Sequence, residues 1–504
     1  MAWIGSKLES MDVSTQSRRV LMIRPRLWLF KALLAAFAFS ASAGLPAAGL
    51  PAPVLKELRA AGIPESSVAA MVQEAGGAAP SLAWRATATM HPASVMKVLT
   101  TYAALELLGP AYRWKTEAWQ DGDDLVLRGY GDPKLTYESF WLLLRALRLR
   151  GLREIKGDVV LDRSFFASQP QVLIDDEPFR PYNVAPDALL VNFKSLRFSF
   201  FPEPARGAVR VVAEPALPGL EIVNSLRTVE GGCPEGRAFR DAIQATFQAQ
   251  PPRASFTGAY PSSCGERELN VALHAPLDYV EAMIRQLWTE MGGTWSGKAR
   301  EGVVSPGARL LYTHDSEPLS EIVRDINKFS NNVMARQLYL TIAAELGGAP
   351  AQPENASASI KAFLKKKRIA APELVIENGS GLSRGERMSA ASLAAVLQAA
   401  WASPVMPEFV ASLPVVAADG TMRRRLREGG IAGSAHVKTG LLNDVRSAAG
   451  YVLDRRGRRQ VVVMIVNHPR APESQAAVDA LLAWAYEGAG RPLPAKPGAP
   501  PSRP

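Results

Sequence analysis

Ser94 and Lys97 stand three residues apart in His91-Pro92-Ala93-Ser94-Val95-Met96-Lys97, ahead of an apolar run that reaches Leu107. A serine hydroxyl is a poor nucleophile until a neighbouring base takes its proton, and a partly buried lysine can be that base. Pro92 and Ser94 are helix-start residues and Gly109-Pro110 is a stop, so both side chains are expected on one helical turn. Met96, Leu99, Ala103 and Leu107 recur at spacings of three and four, which predicts a single inward face. The helix start adds unpaired N–H groups and positive potential where a negative oxygen would form. Read alone, a Ser-x-x-Lys is more often a capped, solvated turn.

Two other stretches could complete such a site. Lys438-Thr439-Gly440 lies on an expected strand. There a lysine and a hydroxyl can hold an anionic group, while the glycine lets backbone approach a ligand closely. Ser330-Asn331-Asn332 follows an expected helix in a turn, where a hydroxyl and an amide two residues apart can face one cavity. Each is weak in isolation, since a strand edge and an ordinary polar turn read the same way.

In combination they are specific. Ser94-x-x-Lys97, Ser330-x-Asn332 and Lys438-Thr439-Gly440, in that order, resemble the three signatures of penicillin-recognising acyl-serine enzymes. Further stretches resemble the D-alanyl-D-alanine carboxypeptidase/endopeptidase family, the class C low-molecular-mass penicillin-binding proteins. They include Asn378-Gly379-Ser380-Gly381-Leu382-Ser383-Arg384, Leu413-Pro414-Val415, Asp419-Gly420-Thr421, Gly131-Asp132-Pro133 and Tyr182-Asn183-Val184-Ala185-Pro186. The resemblance covers roughly residues 50–490, and the 236-residue gap from Ser94 to Ser330 matches the large insertion of that family. A compact β-lactamase would have a much shorter gap. Two departures stand out: Asn378 where the family has Asp, and Leu441 where Thr or Ser is common.

The resemblance implies an α+β fold, an antiparallel sheet flanked by helices with a helical subdomain, carrying a large β-rich inserted module. It implies a serine-type carboxypeptidase or endopeptidase acting on peptidoglycan stem peptides and D-Ala cross-links, with β-lactams as inhibitors that acylate Ser94. Lys97 would be the base and must be neutral, whereas Lys438 is expected to keep its charge and so to depress Lys97. Ser330 would relay a proton and Asn332 bind the substrate amide. Thr439 with Lys438 would hold the negative end of the substrate, Gly440 would border it, and the N–H groups of Ser94 and Leu441 would form the oxyanion hole. A substrate-contacting acid of the inserted domain is carried onto Asp175 or Asp176. Competing readings are an esterase built on Gly381-Leu382-Ser383-Arg384-Gly385 with Asp419 and His436 or His468, and a wall-binding protein with an idle pocket.

Composition agrees with a folded, exported protein. Apolar residues make up 47% and charged residues 21%, ordinary for a globular chain of several domains. The net charge of +10 is dispersed, and the runs Lys365-Lys366-Lys367-Arg368 and Arg423-Arg424-Arg425 are short, so no nucleic-acid partner is expected. Arg24 and Arg26, the apolar residues 32–39 and Ala41-Ser42-Ala43 form a secretory signal pattern ending at 43, with Met22 as an alternative start. A periplasmic location follows, with no integral membrane segment after signal removal. Homo-oligomerisation stays open. Export favours a disulfide between Cys233 and Cys264 over two separate thiols. The five histidines lack ligand spacing, so neither a metal nor another cofactor is expected.

The elements that must position these residues follow from periodicity. Strands are expected at 67–74, 82–90, 114–118, 124–128, 157–162 and 374–376, with helices at 54–61, 140–149, 278–291, 318–327, 333–346, 357–366 and 390–400. Strands at 435–442, 447–453 and 460–466 have short connections that force antiparallel neighbours, and a helix at 474–487 closes the chain. The expected organisation is a catalytic domain from 44–119 and 271–490, an insertion at 120–270, and a proline-rich tail at 491–504.

Overall fold

The computed structural model describes residues 49–169, 173 and 177–490, so the expected signal segment and the proline-rich stretch at 491–504 lie outside the described residues. Five antiparallel strands form the central sheet, in the order Ala435–Leu442, Val445–Leu453, Arg459–Asn467, Val68–Glu74, Pro80–Trp84. The three C-terminal strands fall within two residues of expectation. Their partner is the N-terminal hairpin, with Val68 opposite Val466 and Glu74 opposite Gln460. The second hairpin strand stops at Trp84 rather than reaching Met90, because the chain must turn there to start the Ser94 segment.

The strand at Arg459–Asn467 shows why this sheet is internal. Val461, Val463 and Ile465 point into one core, and Val462, Met464 and Val466 into another. Alternation of period two thus buries both faces, and a continuous apolar run results. One face is covered by helices Ala52–Ala60 and Gln475–Tyr486, and the other by a helical layer around Met96–Leu108.

Met96–Leu108 was expected to be amphipathic, but every residue from Met96 to Leu105 is buried. The sheet, helices Leu319–Lys328, Asn332–Gly347, Pro353–Lys366 and Ala390–Trp401, and Met406–Ser412 enclose it from all sides. A helix in that position needs no polar face. Gly109 ends it at φ +85°, a conformation that glycine adopts without strain. Residues 374–376 do not form a strand; Val375 makes a single bridge to Arg387.

The inserted module is larger than the expected 120–270. A second five-stranded sheet runs Ala299–Glu301, Val159–Asp162, Asp124–Gly129, Lys115–Asp121, Arg309–Asp315. It crosses both expected boundaries, and helix Pro276–Glu290 packs with Tyr137–Leu149 in the same core. Trp114 and Leu319 already belong to the helical core beside Ser94, so packing changes near 115 and 316. Residues 271–315 therefore go with the insertion. Within it, strands Leu196–Glu203, Ala208–Glu214, Arg227–Val229, Ala259–Pro261 and Arg267–Val271 share a sheet, and Cys233 and Cys264 are joined by a disulfide.

Candidate active site

Ser94 sits in a short 3-10 turn, Ala93–Val95, that runs directly into the helix beginning at Met96. Three anchors hold this turn to the sheet. Ser447 Oγ donates to Pro92 O at 2.6 Å, His91 N donates to Asn467 Oδ1 at 2.8 Å, and Asn467 Nδ2 returns a bond to His91 O at 3.0 Å. His91 Nδ1 accepts from Ala93 N at 3.0 Å, which leaves its Nε2–H to donate to Ser383 O at 2.8 Å. Ala93 is held at φ +48°, a strained conformation for a residue with a Cβ.

Lys97 is fully buried beneath Ser94. Its Nζ lies 3.1 Å from Ser94 Oγ, 2.6 Å from Asn332 Oδ1 and 2.5 Å from Ser380 O. A neutral amine has two hydrogens and one lone pair, so it can donate to Asn332 and Ser380 and still accept from Ser94. Burial, and then the nearby Lys438, pull Lys97 well below the ordinary lysine range, against the opposing carboxyl of Glu386.

Lys438 and Gly440 are two residues apart on Ala435–Leu442 and share the face turned toward Ser94. Lys438 Nζ donates to Ser330 Oγ at 2.8 Å and to Thr439 O at 2.7 Å. Its hold on a positive charge is weaker than the sequence implies. Its side chain is fully buried, and burial lowers it to about 7. A Cβ on Gly440 would lie 3.0 Å from Ser94 N and would overlap Ser447 Oγ, so only glycine lets the strand pass this close.

Ser330 follows helix Leu319–Lys328 at φ +56°, and Asn332 opens helix Asn332–Gly347. Asn331 is the cap between them, its Oδ1 accepting from Met334 N at 3.0 Å. That cap directs Ser330 and Asn332 to one side, where a cleft of about 710 Å³ leads toward Tyr182, Phe193 and Arg197 of the inserted module.

Ser94, Lys97, Ser330, Asn332, Lys438 and Gly440 therefore meet in one place, and Thr439, between Lys438 and Gly440, has its hydroxyl 2.8 Å from that of Thr421. Leu441 extends past them with its side chain 55% exposed. Asp175 and Asp176 lie outside the described residues. The esterase constellation is not assembled: Ser383 Oγ donates to Glu377, and Asp419 pairs with Lys328 at 2.7 Å.

The chemical pattern overlooked two groups. Ser380 serves through its carbonyl, which no side-chain motif reveals. Glu386 is fully buried and its Oε1 accepts from the N–H groups of Glu377, Asn378 and Gly379 at 3.0–3.1 Å, shaping the loop that carries Ser380. Burial raises that carboxyl.

Known proteins match over most of this architecture. A D-alanyl-D-alanine carboxypeptidase of Actinomadura sp. (strain R39) is 30% identical over 430 residues, covering 80% of this chain and 78% of the relative. The D-alanyl-D-alanine carboxypeptidase DacB of Haemophilus influenzae is 24% identical over 399 residues, covering 75% and 80%. The crystal structure of penicillin binding protein 4 (dacB) from Haemophilus influenzae superposes with a TM-score of 0.70 at 22% identity, covering 86% of this chain and 99% of that one, which establishes the acyl-serine transferase fold. The sequence profile of the D-Ala-D-Ala carboxypeptidase 3 (S13) family matches residues 53–487, and the chain belongs to that family.

Proposed function

We propose that this protein is an exported serine-type D-Ala-D-Ala carboxypeptidase and DD-endopeptidase. It acts on peptidoglycan stem peptides and cross-links through an acyl-serine intermediate, and penicillins acylate it. One observation carries the reading: a fully buried lysine, lowered toward neutrality, 3.1 Å from the Oγ of a serine at a helix start.

Lys97 takes the Ser94 proton as Oγ attacks the carbonyl carbon of the penultimate D-Ala. The N–H groups of Ser94 and Leu441 receive the oxyanion, the close pass of Gly440 against Ser94 N setting the two segments side by side. As the C–N bond breaks, Ser330 Oγ gives its proton to the leaving amine and is refilled from Lys438 Nζ, 2.8 Å away. That transfer balances the proton taken from Ser94. Asn332 orients Lys97 and the substrate amide. An arriving carboxylate near Lys438 and Thr439 raises the lysine from about 7 and so keeps it protonated in the complex. Water then cleaves the ester. Its proton passes through Ser330 to the neutral Lys438 while Lys97 returns its proton to the departing Ser94 Oγ, so both lysines regain their starting states.

The open cleft beyond Ser330 supports acceptance of a cross-linked second peptide, the endopeptidase substrate. The signal-like residues 22–43 support a periplasmic location, and the Cys233–Cys264 bond supports an oxidising one. Among the described residues no helix is long and apolar enough to cross a membrane.

Labelling with a fluorescent penicillin tests the nucleophile. Wild type is expected to label and Ser94→Ala to stay dark; labelling of Ser94→Ala would refute the assignment. Mass analysis of digested peptidoglycan separates the substrates, since loss of terminal D-Ala marks the carboxypeptidase and cleaved dimers mark the endopeptidase.

A further inference from the structure

A terminal carboxylate offers two acceptor oxygens and is best held by donors that converge from different segments. The strand Ala435–Leu442 presents Thr439, but the residue two places on is Leu441, which has no hydroxyl to add. Lys438 is engaged by Ser330 Oγ and Thr439 O.

A second hydroxyl arrives from elsewhere in the chain. Thr421 Oγ1 lies 2.8 Å from Thr439 Oγ1, and Thr421 is exposed. When one of two paired hydroxyls donates to the other, the second keeps a hydrogen free to donate outward.

Thr421 is held where it is by a buried cation. Lys328, 5% exposed at the end of Leu319–Lys328, donates from Nζ to Asp419 Oδ2 and to Leu413 O, both at 2.7 Å. Asp419 Oδ1 accepts from Val415 N at 2.7 Å. Gly420 lies flat on the end of the same helix, where a Cβ would stand 2.5 Å from Lys328 O. The segment is also laced to the edge strand, Val416 N to Ala435 O at 2.9 Å and Val437 N to Pro414 O at 2.8 Å. One lysine thus ties the end of the helix Leu319–Lys328, two residues before Ser330, to the loop that carries Thr421.

We propose that Thr421 and Thr439 form a hydroxyl pair that binds the free carboxylate of the leaving D-amino acid, Thr421 supplying the hydroxyl that Leu441 lacks. Lys328 and Asp419 are the positioning residues for that pair. The inference rests on the DD-peptidase reading and adds a specificity determinant to it.

The test compares hydrolysis of a tripeptide ending in D-Ala-D-Ala as the free acid with hydrolysis of its C-terminal amide. Thr421→Val is expected to narrow the wild-type preference for the acid about tenfold, chiefly through KM, as for loss of one hydrogen bond to a charged group. Thr421→Ser should keep the preference, and Asp419→Asn should narrow it as Thr421→Val does. Equal losses on acid and amide, or an unchanged preference, would overturn the proposal. Penicillin labelling separates the two levels. An unlabelled wild type removes the DD-peptidase reading and this inference with it, whereas a labelled enzyme with an unaltered Thr421→Val preference removes this inference alone.

Discussion

Replacing Gly381 with alanine tests whether residues 377–386 set the position of the nucleophile. Gly381 is at φ +82°, and a Cβ built there would overlap Ala93 O and Ala93 C and stand 2.7 Å from Ser94 N. All three are main-chain atoms of a turn already anchored by Ser447 and Asn467, so none can swing aside as a flexible side chain would. The left-handed conformation alone costs a residue with a Cβ ~1–2 kcal/mol. Relieving the overlap requires the loop and the turn to part by on the order of 1 Å, which moves either Ser94 or the Ser380 carbonyl that holds Lys97. A displacement of that size costs ~10²-fold in rate. Strain and lost packing together should remove ~2–4 kcal/mol of stability, within the range of backbone-strain substitutions. The assay is stopped-flow acylation by a fluorescent penicillin alongside a thermal melt. A Gly381→Ala protein that acylates within about threefold of wild type and melts at the same temperature would refute the reasoning.

Three further outcomes are expected. Penicillin acylation should rise with pH through the lowered pKa of Lys97, with a midpoint well below 10.5, and Lys97→Met should cost ~10²–10⁴-fold; a midpoint at the free-lysine value would contradict the assignment of the base. Lys438 titrates near 7 in the fold and at its ordinary value when unfolded, so across that window the unfolded chain holds the extra proton and stability rises with pH. Lys438→Met should therefore gain melting temperature over wild type at pH 6, with the gain shrinking by pH 9.5, and a pH-independent difference would count against the shift. Replacing Cys233 and Cys264 by serine should cost the inserted module ~2–4 kcal/mol, read by denaturant melts, while Ser94 acylates within twofold of wild type.

Local chemistry was legible in the residues themselves. The order Ser94-Lys97, Ser330-Asn332, Lys438-Thr439-Gly440, the three C-terminal strands and most helices follow from spacing, periodicity and short connections, which act over a few residues. Tertiary structure decided what depends on groups far apart in the chain. The sheet edge that receives Val68–Glu74 belongs to a strand nearly 400 residues later, and nothing local to either announces the other. The helix after Ser94 reads as amphipathic because periodicity reports only its best face, yet packing on every side buries it whole. Pairing across the boundaries of 120–270 is equally hidden, since one sheet takes strands from both flanks of that stretch. Most of all, sequence marks Lys97 and Lys438 as lysines and is silent on their charge. Burial, the distance between them and the carboxyl of Glu386 set the protonation of Lys97, and burial alone brings Lys438 to about 7. Those quantities exist only after folding, since desolvation and Coulomb terms sum over neighbours that the chain brings together.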